Sequence, residues 1–138
     1  MWKGYYRKWN PVPVLEDKEL YVEAVHDDWE GFRIWISAEN RNAGIVAIAR
    51  FENALLYTNS DESFRLSETE RESGTKFPHL FWTVENSLLI NEFHRQSLRI
   101  YEDWKITHYA FLSGNDCLDV LSVEPPQFTN IIEELYAL

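Results

Sequence analysis

Residues 106–123, ITHYAFLSGNDCLDVLSV, decide how the chain is to be read. Two apolar runs, Ile106–Ser113 and Cys117–Val123, flank Gly114-Asn115-Asp116. Glycine and asparagine accept the left-handed backbone that a tight reversal needs, so the stretch predicts a β-hairpin. Pro125-Pro126 ends its second strand, because proline cannot donate to a sheet ladder. Immediately upstream the period changes. Leu89, Ile90, Phe93, Ser97, Ile100 and Tyr101 recur at helical spacing, and Asn86 or Ser87 offers a side-chain oxygen to the free first-turn amides. This predicts the main helix, about 87–101. His79–Val84 before it reads as a strand.

Further out, the first third alternates with the period of a sheet. Leu20, Val22 and Ala24 share one face of Leu20–His26, and Phe32, Ile34 and Ile36 share one face of Phe32–Ile36. Asp27-Asp28-Trp29-Glu30-Gly31 between them is turn material. Ile45–Phe51 is nearly continuous in apolar residues and reads as a central strand buried on both faces. Ala54–Thr58 follows as another strand. Residues 1–14 carry Trp2, Tyr5, Tyr6 and Trp9 with Lys3, Arg7 and Lys8 before Pro11 and Pro13, an extended arm or edge strand. Residues 59–76 are acidic and rich in serine and threonine, a long solvated loop. Thr129 is placed to cap a short C-terminal helix through Ile131, Ile132 and Leu135. The expected fold is therefore α+β: a single domain over residues 1–138, mostly antiparallel sheet, with one main helix and a short C-terminal one.

Composition limits what such a domain does. The chain has 23 acidic and 13 basic residues, a net charge of −10. The first nine residues contain three bases and no acid, so all 23 acids lie beyond them. A surface of this sign repels phosphate backbones and anionic lipids, which argues against nucleic-acid and membrane binding. It favours a basic protein partner. Cys117 is the only cysteine, so no internal disulfide is expected, and no signal-peptide pattern or membrane-length apolar run is visible. A cytoplasmic protein is the expectation.

Catalytic patterns are sparse. The sequence lacks the glycine-rich phosphate loops, the serine elbow, HExxH and CxxC. His26-Asp27-Asp28 brings ligand-type residues together, but neighbours on a strand point to opposite faces and do not converge on one metal. His79 and His94 are isolated. His108 sits on an apolar strand, as a hydrogen-bonded core histidine or as a base near Asp116, Cys117 and Asp119. Expected catalytic residues, metal ligands and cofactors are none. A small-molecule or enzymatic pocket near His108 is the alternative.

Six tryptophans, seven tyrosines and eight phenylalanines are a separate signal. Tryptophan and tyrosine bring large contact area at low rotamer cost, which suits recognition. The candidate partner-binding residues are those where acids adjoin such a ring: Asp27, Asp28, Trp29 and Glu30 in the turn, and Asp61, Glu62, Phe64, Glu68, Glu70 and Glu72 in the acidic loop. Three stretches, YTNSDESFRL (Tyr57–Leu66), TVENSLLINEFHRQS (Thr83–Ser97) and HYAFLSGNDCLDVLSVEPP (His108–Pro126), resemble small uncharacterised bacterial proteins. In type the chain is similar to bacterial toxin-immunity proteins, which are small, acidic, α+β and without catalytic apparatus. That likeness implies a protein that neutralises a basic partner, and it assigns no residue.

Overall fold

Among the described residues five strands form one antiparallel sheet and four form another, the main hydrophobic core lies between them, and a smaller cluster of Val84, Ala110, Leu112 and Cys117 lies on the outer face of the first. The computed structural model describes residues 4–16, 18–38, 44–61, 79–114 and 116–129. In chain order these give β1 (Tyr5–Lys8), a 3-10 turn (Pro13–Leu15), β2 (Leu20–Asp28), β3 (Gly31–Ala38), β4 (Ile45–Phe51) and β5 (Ala54–Asp61). Then follow β6 (Phe81–Glu85), α1 (Leu88–Gln96), β7 (Thr107–Leu112), β8 (Asp116–Ser122) and β9 (Gln127–Thr129). The five-stranded sheet runs β1-β6-β7-β8-β5 and the four-stranded sheet β2-β3-β4-β9.

Alternation decides which side chains fill the core. Phe32, Ile34 and Ile36 of β3 and Ala47, Ala49 and Phe51 of β4 face Phe81 of β6, Tyr109 and Phe111 of β7, and Leu118 and Val120 of β8. Phe51 bridges the layers, with its ring 5.5 Å from Tyr109 and 6.1 Å from Phe111. Trp9, just beyond β1, closes one side against Phe81, Tyr109, Phe111 and Phe128. Edge-on and tilted ring pairs of this kind add to the stabilisation that burial alone provides.

The hairpin at residues 106–123 forms, with Leu112 opposite Cys117. Its turn is pinned by Ser113, whose amide and hydroxyl both donate to the Asp116 carbonyl, at 3.0 and 2.9 Å. The first third gives the expected meander β2-β3-β4. β5 leaves it, however, and pairs with β8 in the other sheet. β4 is fully buried on the face of Ala47, Ala49 and Phe51, whereas Ile48 and Arg50, opposite Trp35 and Arg33, are only half-buried on the outer side.

The molecule is richer in sheet than the α+β expectation, and among the described residues it has one α-helix. That helix ends at Gln96 rather than near 101. The Ser97 hydroxyl donates to the Phe93 carbonyl at 2.7 Å, and Leu98 and Arg99 then adopt positive φ, 53° and 61°. The Leu98 amide bonds the Arg95 carbonyl and the Arg99 amide the His94 carbonyl, a Schellman-type stop built on leucine instead of glycine. Thr129 lies in β9 opposite Ile48, and the expected C-terminal helix beyond it falls outside the described residues. Asn59–Asp61 extend β5, and the rest of the acidic loop likewise falls outside.

Candidate functional site

His108 and Asp119 come together on the outer face of the five-stranded sheet. The ring Nε2 lies 2.6 Å from Asp119 Oδ1, and Nδ1 lies 2.7 Å from the hydroxyl of Ser87. Asp119 Oδ2 accepts from the Thr58 hydroxyl at 3.2 Å. Ser87 is also the N-cap of α1, accepting the Ile90 amide at 3.1 Å. A neutral imidazole satisfies both contacts when Nε2 donates to the carboxylate and Nδ1 accepts from the serine. The chain of bonds joins β5, β8, β7 and the start of α1.

The order carboxylate, imidazole, hydroxyl is that of a nucleophile-activating relay. Burial sets it apart from one. His108 and Asp119 are 0% exposed, and Ser87 is buried with its oxygen committed to the helix cap. The neighbouring cleft is lined by Thr83–Asn86, Ile90, Ile106 and Thr107, and by none of the three. Cys117 is also fully buried, its thiol 4.0 Å from the Ser113 carbonyl, and Asp116 starts β8 at the hairpin turn. His79 bonds the Trp9 carbonyl at 2.7 Å, and the His26 ring packs 4.8 Å from Trp35. Among the described residues no group of three or more His, Cys, Asp or Glu is placed to hold a metal ion.

The β2–β3 turn is built differently. Asp28 pairs with Gly31, so the connection is only Trp29 and Glu30, and Gly31 takes φ 103°, a conformation costly for other residues. Asp28 Oδ1 accepts the Glu30 amide at 2.9 Å, and Oδ2 accepts Arg33 at 2.7 Å. Arg33 also meets Glu30, at 3.0 Å, and Arg50 donates to the Glu30 carbonyl at 3.0 Å. Two arginines therefore brace the turn from inside the sheet. Its tip carries Trp29, 91% exposed.

Beside the tip lies a groove of about 560 Å³ lined by Asp27, Asp28, Phe32, Phe51, Glu52 and Tyr57, among others. The Tyr57 and Phe32 rings pack 4.2 Å apart. Burial, then the charge of Asp27 and its hydrogen bond to the phenol, hold the Tyr57 hydroxyl above its ordinary pKa. A second cleft of about 590 Å³, lined by Asn53, Leu55, Trp104, Val123 and Glu124, shares Asn53 and Leu55 with the first.

Of the residues expected at a partner surface, Asp27, Asp28, Trp29 and Glu30 thus meet at one end of the molecule. Asp61 does not join them. It closes β5 opposite Asp116, at the far end of that eight-residue strand from Ala54, roughly 23 Å away. Glu62, Phe64, Glu68, Glu70 and Glu72 lie outside the described residues. Glu52, Tyr57 and Trp104 were not anticipated at the site, because only sheet pairing brings β4, β5 and the α1–β7 connection to the same end. Arg33 had a local signal: it stands five residues after Asp28, across a tight turn.

Among the described residues, no helix is long and apolar enough to cross a membrane. No protein-family model matches the chain, and neither a curated protein nor a solved structure matches it significantly.

Proposed function

We propose that this chain is a protein-binding domain that docks a basic protein partner, most concretely a bacterial toxin-immunity protein that neutralises its toxin in the cytoplasm. One observation carries the reading: Trp29, 91% exposed, stands on a two-residue turn that Arg33 and Arg50 brace. An exposed tryptophan on a braced turn is the kind of side chain that anchors interfaces, since its ring brings large contact area at low rotamer cost. Asp27 and Glu52 beside it, and the net charge of −10, favour a cationic partner and speed its encounter. The single cysteine suits a reducing compartment.

The test is capture from the native host with wild-type and Trp29→Ala baits, followed by kinetics on the captured protein. Association slows as salt rises, because screening over roughly 8–10 Å removes steering, and Trp29→Ala accelerates dissociation. A partner whose binding is indifferent to both salt and Trp29 contradicts the proposal.

A further inference from the structure

The cleft formed by Leu55, Trp104 and Val123 is apolar and open, with Trp104 50% and Val123 41% exposed. Its main wall is held in place. Trp104 meets Tyr101 edge-on at 4.6 Å, and Tyr101 stacks on Phe93 at 5.5 Å. The cleft is therefore ready to take a side chain without first ordering its own, which lowers the entropic cost of binding.

The charges around it select the occupant. Glu124 lies on one side, and at the shared Asn53 and Leu55 the cleft adjoins the groove of Asp27, Asp28 and Glu52. No lysine, arginine or histidine lines either space. Asp28 and Glu52 are matched by Arg33 and Arg50. Asp27 and Glu124 form no ion pair among the described residues. Such a rim disfavours an anionic lipid surface and favours a polypeptide carrying cations on either side of an apolar residue.

We propose that this cleft seats one large apolar side chain of the partner, set in a basic segment whose lysines or arginines reach Asp27 on one side and Glu124 on the other. This rests on the docking reading above and names the partner segment that the surface takes. Trp29 and the cleft are then two separate anchors of one interface.

The experiment follows amide and indole signals of the full ¹⁵N-labelled chain by NMR. The probe is the acetylated, amidated peptide Lys-Arg-Leu-Arg-Lys, compared with the same peptide carrying serine for leucine and with Glu-Asp-Leu-Asp-Glu. The leucine peptide shifts Asn53, Leu55, Trp104 and Val123. Replacing its leucine by serine, or introducing Trp104→Ala or Val123→Ser, weakens binding at least about fivefold, the effect of losing roughly 1 kcal/mol. The acidic peptide does not bind. Absence of shifts at these four residues overturns the proposal. So does equal binding of the serine peptide, which would make the contact one of charge alone. Shifts that depend on protein concentration without any peptide also overturn it, because a second copy would then be the occupant. With the captured partner, loss of the complex by Trp29→Ala but not by Trp104→Ala or Val123→Ser sinks this inference and leaves the docking reading standing.

Discussion

Asp119 and Asp28 both accept a hydrogen bond at each carboxylate oxygen, yet they lie in opposite surroundings. Asp119 is sealed on the outer face of the five-stranded sheet, with His108 and Thr58 as donors. Asp28 stands in an exposed turn, with Arg33 and the Glu30 amide as donors. The first arrangement fixes how three strands and a helix meet. The second fixes how a tryptophan is shown to solvent. Similar bonding thus serves architecture where water is excluded and display where water enters, and exposure rather than residue type separates the two.

The sharpest way to break this contrast is at the sealed network. His108→Leu strips the buried carboxylate of its 2.6 Å hydrogen bond and is expected to cost about 3–5 kcal/mol in urea unfolding. Adding Asp119→Leu should recover much of that loss, because removing both polar partners leaves no uncompensated buried charge. If His108→Leu unfolds like the wild type, the network is not a strut. At the exposed turn the expectation reverses. Trp29→Ala should leave stability within about 0.5 kcal/mol while weakening the partner complex by about 2 kcal/mol or more.

Smaller effects sharpen the account. Ser87→Ala removes both the cap of α1 and the hydroxyl facing His108, for a loss of about 1–2 kcal/mol. Leu98→Gly should stabilise by roughly 0.5–1 kcal/mol, because glycine relieves the positive φ at the helix stop. A loss instead would mean that the leucine side chain, 85% exposed, contributes contacts to the fold. The smallest effect concerns Tyr57. Its phenol pKa is raised, so the stability it contributes is complete below pH 10, the ordinary tyrosine value, and falls as pH rises through the folded value. Asp27→Asn should lower that pKa in an NMR titration, since the charge facing the phenol is removed. An unchanged titration would show that Asp27 does not act on the ring.

How far the sequence reveals this can be traced element by element. The β7–β8 hairpin and β2–β3 were legible because alternation and turn residues are local signals. The helix was legible in place but not in length. Ile100 and Tyr101 keep the apolar spacing after the backbone has already reversed at Leu98, and spacing carries no trace of φ. The exchange of β5 into the other sheet was invisible, because its partner, β8, lies about sixty residues away in sequence. At the candidate surface, the acid-ringed Trp29 could be read from neighbours in the chain. Tyr57, Leu55, Trp104 and Val123 could not, since they reach the same end only through that long-range pairing. His108 and Asp119 were expected to be near each other from their hairpin, whereas Ser87 was read only as a cap and its second bond was missed.

Hydrogen exchange of the full chain, alone and with its captured partner, tests the central claim most directly. The account predicts slowed exchange at the β2–β3 turn, the β4–β5 turn at Glu52–Asn53 and the segment around Trp104, with the β6–α1 junction at Asn86–Ile90 unchanged. Protection confined to that junction, with Trp29 and Trp104 left as free as in the unbound protein, would contradict it.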